Sequence, residues 1–227
     1  MPQTQHTFEP TLTRDKSLDY WLHLPTGYGD DPDERWPLIL FLHGAGERGD
    51  DPVRVQAHGI PRVVEEDGDF PFIAVSPLCP LDHWWSDFIP ELAALLDQIQ
   101  AQHAVDGDRV YLTGLSMGAY GSWHLMTEYP ERFAAAALIC GAPPWHLEMA
   151  SRAARVKDLP LWFFHGDADD VVHISGSRAM VDAVHAAGGT PQFTVYPGVD
   201  HDSWTETYAN PALYEWFLSK VRLAHGG

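Results

Sequence analysis

The sequence predicts one α/β domain over residues 1–227, a mostly parallel central sheet with helices on both faces and no large lid. Three observations predict it. Six short runs are near-continuously apolar, as strands covered on both faces must be. Segments with helical periodicity fall between those runs, and this alternation gives a parallel sheet with right-handed crossovers. The length of 227 residues suits one core that needs neither disulfide nor metal to hold it.

The predicted strands are residues 37–44 (PLILFLHG), 70–77 (FPFIAVSP), 109–114 (RVYLTG), 133–141 (FAAAALICG), 159–166 (LPLWFFHG) and 191–198 (PQFTVYPG). DYWLHLP, before residue 36, reads as one or two edge strands, and residues 30–36 as a polar turn leading into the core. A helix is expected over 87–102, where Phe88, Leu92, Leu95, Leu96 and Ile99 share a face and Pro90 sits in the first turn. A second covers 174–187 and stops at Gly188-Gly189. The last opens with Asn210 as cap and Pro211 at its first position, and is expected to bury Leu213, Trp216, Phe217 and Val221. No repeat or low-complexity tract interrupts this order.

With 14 Lys and Arg against 32 Asp and Glu, the formal charge is −18, which repels a phosphate backbone and argues against a nucleic-acid partner. The first ten residues have no basic and apolar signal pattern, and no apolar run approaches a membrane span, so a cytoplasmic address is expected. Cys79 and Cys140 are expected to stay reduced. In the strand order given below, two strands separate their own, and three strand spacings make roughly 14 Å, about twice what a disulfide tolerates.

Ligands of an open parallel sheet sit beyond the carboxyl ends of its strands. That rule sends the search to the residues after each run and discards most of the 13 histidines. After RVYLT comes Gly114-Leu115-Ser116-Met117-Gly118, then a helix running to Pro130. This is G-x-S-x-G in the strand-turn-helix setting that exposes a nucleophilic serine. Side chains at 114 or 118 would collide with backbone in so sharp a turn. Gly121 and Ser122 keep the helix slim where it crosses the sheet.

A serine hydroxyl needs a base, and the base needs a group to fix its tautomer. After such a serine, the acid and then the histidine follow in chain order. The acid falls in the loop after LPLWFFHG, where spacing alone leaves Asp167, Asp169 and Asp170 open. The histidine is His201, in the loop before the last helix. His43 and His165 open His-Gly turns and read as strand-end packing. For the oxyanion, the expected donors are the N–H of Met117 and that of Ala45, on a loop freed by Gly44 and Gly46. Glu47 and Arg48 are expected to pair and fix that loop. Trp85 is expected to wall the acyl or alcohol pocket, and Trp145 to help bound it. No H-E-x-x-H spacing or complete calcium loop is present, so neither metal nor cofactor is expected.

FLHGAGERG, HGIP, FPFIAVSPLCP, the Trp84-Trp85 pair, GLSMGAYGSW, HGDADDVV and YPGVDHDSWTETY together resemble the bacterial esterases grouped as phospholipase/carboxylesterase or dienelactone-hydrolase-like, sometimes as peptidases, within the α/β-hydrolase superfamily. The resemblance runs from about residue 36 onward. It implies a pattern H-G-x-x-D-x-x-V that selects Asp169, a strand order 1-2-4-3-5-6-7-8, and catalytic roles for Ser116 and His201. Relatives often carry secretion signals or extra domains; the lack of both here points away from an extracellular polymer as substrate.

The expected function is hydrolysis of small, soluble, short-acyl carboxylic esters through an acyl-enzyme. Thioesterase, lysophospholipase or peptidase activity would use the same residues. A binding protein that kept the fold would need neither an intact triad nor two oxyanion loops.

Overall fold

A computed structural model of the protein describes residues 16–66, 68–141 and 151–222. Among these residues seven strands form one sheet: β1 (Tyr20–His23), β2 (Trp36–Leu42), β3 (Ile73–Pro77), β4 (Val105–Leu115), β5 (Ala135–Ile139), β6 (Leu161–Gly166) and β7 (Gln192–Tyr196). Their order is β1-β3-β2-β4-β5-β6-β7. Among the described residues only the β1–β3 pair is antiparallel. This is the order implied by the resemblance, without its first strand among the described residues.

The period of two along the strands explains why the runs are continuously apolar. Leu38, Leu40 and Leu42 enter one core, while Ile39 and Phe41 of the same strand enter the other. The first core is closed by α2 (Ile89–Gln102), α3 (Met117–Glu128) and α4 (Ser175–Ala186). The second is closed by α1 (Gly59–Glu66), α5 (Trp204–Ala209) and α6 (Pro211–Leu218). α6 starts as expected, with the Asn210 side chain accepting from the N–H of Ala212 at 3.0 Å. It ends at Leu218, so Val221 lies beyond it and is exposed, contrary to expectation.

Both cysteines are free and buried, on β3 and β5 sides separated by β2 and β4. Burial pushes the Cys79 thiol up to about 12 and the Cys140 thiol higher still, so neither supplies a thiolate.

Candidate active site

The carboxyl ends of β4, β6 and β7 converge three side chains. β4 ends at Leu115, and Ser116 turns the chain into α3 with φ 50° and ψ −116°. For a non-glycine residue this backbone costs about 1–3 kcal/mol, and the neighbours hold it there. A Cβ at Gly114 would stand 2.5 Å from the Gly118 backbone, and one at Gly118 would overlap the carbonyl of Leu42. The N–H of Ser116 is tied to the carbonyl of Ile139 at 2.9 Å.

Asp169 follows β6 and is the buried one of the three aspartates in its loop, 4% exposed. Asp167 and Asp170 are exposed. Asp167 instead accepts from the N–H of Gly198 at 2.6 Å, joining this loop to the turn after β7. That turn carries His201. His201 Nδ1 lies 2.7 Å from Asp169 Oδ2, and its Nε2 lies 3.0 Å from Ser116 Oγ. Asp169 Oδ1 also accepts from the N–H groups of Val171 at 2.9 Å and Val172 at 2.8 Å. Burial pushes the Asp169 carboxyl upward, but the bonds from His201, Val172 and Val171 outweigh it and hold the group below its ordinary value. Asp169 is therefore an anion at neutral pH. The ring of Trp204 meets that of His201 edge-on, centroids 5.3 Å apart.

The two backbone N–H groups expected to bind the oxyanion both stand at element starts. Met117 heads α3, where the first N–H groups have no partner within the helix. Ala45 heads the short turn Ala45–Glu47 after β2. The loop around Ala45 is not fixed by a Glu47–Arg48 pair. Arg48 donates to the carbonyls of Ala45 and His83, both at 3.1 Å, and lies over the Trp84 ring. Glu47 faces His43 and His58, each at 3.9 Å. Arg48 thus clamps the loop through backbone oxygens, which adjacency in sequence does not reveal.

Trp85 departs from expectation. Trp85 is fully buried. Its Nε1 donates to the carbonyl of His43 at 2.9 Å, and it packs so closely on α3 that a Cβ at Gly121 would clash with it. It packs against the nucleophile helix and has no exposed surface with which to line an open pocket; half-exposed Trp84 faces solvent. Trp145 lies outside the described residues. Among the described residues, no group of three or more His, Cys, Asp or Glu side chains could hold a metal ion. Likewise, no described helix is long and apolar enough to cross a membrane.

Sequence reasoning treated His165 as packing alone and missed where it points: its Nε2 lies 3.0 Å from Asp169 Oδ2. The available signal was the spacing of four residues across a tight turn.

Residues 82–211 match the model of the phospholipase/carboxylesterase family. A carboxylesterase from Arabidopsis thaliana is 24% identical over 72% of this chain and 82% of its own. A bifunctional acetylxylan esterase/xylanase from Neocallimastix patriciarum is 26% identical over 79% of this chain. The chain spans 26% of that relative's length. A solved thermostable esterase superposes with a TM-score of 0.76 at 33% identity, covering 90% of this chain and 60% of its own.

Proposed function

The chain belongs to the phospholipase/carboxylesterase family of α/β hydrolases, and from that premise we propose that it hydrolyses carboxylic esters with Ser116 as nucleophile. His201 Nε2 takes the serine proton as Oγ attacks the carbonyl carbon. Asp169 orients the imidazole and balances the charge it acquires. The N–H groups of Ala45 and Met117 hold the oxyanion, helped by the positive end of α3. Collapse of the tetrahedral species expels the alcohol, which receives the proton from His201. Water, deprotonated by His201, then attacks the acyl-enzyme and restores Ser116.

The observation that carries this reading is the unbroken line of contacts from Asp169 Oδ2 through His201 to Ser116 Oγ, 2.7 and 3.0 Å. We further propose that residues 1–227 act as one domain without metal or cofactor. A cytoplasmic address is proposed from the two free cysteines.

The proposed substrate is a small-molecule ester with a short acyl chain, a reading that rests on residues 142–159. Lipases commonly insert a helical lid at this connection, and here it has the length of an ordinary link with one short helix. Long chains would then lie partly in water and forfeit about 0.8 kcal/mol per methylene left unburied. The test compares acetyl, butyryl and palmitoyl esters of one alcohol below and above the solubility limit, alongside a thioester, a lysolipid and a peptide. Acetyl and butyryl esters should turn over fastest, and Ser116→Ala should lose roughly 10⁴-fold or more on them. Preference for palmitoyl, or a jump in rate once droplets form, would contradict the short-acyl reading.

A further inference from the structure

His165, next to last in β6, is a fully buried side chain, and three polar groups surround its ring. Nδ1 lies 2.8 Å from Ser177 Oγ. Nε2 lies 2.8 Å from the carbonyl of Val172 and 3.0 Å from Asp169 Oδ2. Two oxygens that can only accept, one of them on a carboxylate, face Nε2. That nitrogen must therefore carry the proton, since a lone pair there would be repelled by both. Nδ1 then accepts from the Ser177 hydroxyl. Burial lowers the affinity of the ring for a second proton, so it stays neutral.

The Nε2 proton is bonded to the Val172 carbonyl, and Asp169 Oδ2 stands 3.0 Å from the same nitrogen, close enough to feel the positive end of that N–H. The Val172 residue that accepts from His165 through its carbonyl also gives its N–H to Asp169. The Asp169 carboxylate offers about four lone-pair sites. Oδ1 accepts from Val171 and Val172, and Oδ2 accepts from His201 and lies against His165 Nε2 at 3.0 Å. A carboxylate held on both oxygens cannot rotate without breaking a bond, and its side chain is buried where that loss is not made good by solvent.

We propose that His165 is a positioning residue for catalysis: its Nε2–H fixes the rotation of Asp169, and through Asp169 the orientation of His201 toward Ser116. The proposal deepens the esterase reading and rests on it. Ser177, which sets the tautomer, belongs to α4 and so links that helix to the site.

The experiment combines kinetics with histidine tautomers read by nitrogen-edited NMR. His165→Leu removes the donor, while His165→Gln restores an N–H close to the position of Nε2. In His165→Leu, kcat should fall roughly 10–100-fold, the range of a hydrogen bond to a charged group, with KM within about twofold. Rates are taken per folded site, counted by fluorophosphonate titration after prolonged reaction. His165→Gln should recover most of the loss. A purely structural histidine would lower stability and leave kcat per folded site unchanged, and that result overturns the proposal. Should His165→Leu fail to fold, the wild-type spectrum decides: a proton on Nε2 supports the proposal, and a proton on Nδ1 overturns it. Failure of the esterase reading looks different, because Ser116 would then resist the probe in the wild-type protein itself.

Discussion

Two His-Gly dipeptides, one just after β2 and one at the end of β6, share a depth of burial, yet they serve the site in different ways. His43 accepts at Nε2 from the N–H of Cys79 at 2.9 Å and contacts the Gly44 carbonyl through Nδ1 at 2.7 Å. It carries its proton on Nδ1 and straps the loops after β2 and β3 together. His165 carries its proton on Nε2, bonded to the Val172 carbonyl, and holds that nitrogen 3.0 Å from Asp169. In the proposed mechanism the first turn delivers backbone, the N–H of Ala45, and the second a side chain. What closes on each histidine from elsewhere in the chain sets its tautomer and hence its use, so the dipeptide alone says little.

The sharpest break in this comparison is made at the carboxylate. Asp169→Asn presents an amide to His201, spoils its tautomer, and should lower kcat/KM on the order of 10⁴-fold. Asp170→Asn, at an exposed position, should leave the rate within a few-fold. Steady-state kinetics on a butyryl ester checks both, and equal losses would show that the β6 turn does not single out Asp169.

How much of this was legible in the sequence depends on where each partner lies. Ser116 and its glycines were readable because the elbow is local, strand, turn and helix within about fifteen residues. Asp169 was one of three candidates until the family pattern separated them; physically, the separation is the burial of its side chain beneath His201. Trp85 was misread because its burial is a long-range fact. Gly121, on another element, opens the space it fills, and the carbonyl of His43 takes its N–H. The Glu47–Arg48 pair failed similarly: the guanidinium found backbone oxygens and the face of Trp84. Val221 was counted into the last helix because its spacing fits, but the helix ends three residues earlier.

A smaller effect tests the His43 side. Burial first, offset by the Gly44 bond, lowers the His43 pKa from 6.5 to about 4. The unfolded chain therefore takes up a proton near pH 6.5 that the folded site refuses until about pH 4. Above that window His43 contributes no pH dependence. Through it, stability falls with acid by up to about 3 kcal/mol, and His165 adds a contribution of the same sign. Urea unfolding at pH 7 and 5 should show a loss in wild type that is about 2 kcal/mol larger than in His43→Gln. Equal losses would mean that His43 is not held neutral.

The smallest expected effect concerns Trp85. Trp85→Phe removes its bond to the His43 carbonyl and should cost about 1 kcal/mol in thermal unfolding, with KM unchanged. A large rise in KM with unaltered stability would return Trp85 to a pocket wall.

The central claim is that Ser116, activated by His201, is the group that attacks substrate. Fluorophosphonate labelling followed by peptide mass spectrometry tests it most directly. The account predicts one adduct, on the peptide containing Ser116, abolished in Ser116→Ala and strongly slowed in His201→Ala. An adduct on another residue, or full esterase turnover by Ser116→Ala, would contradict it.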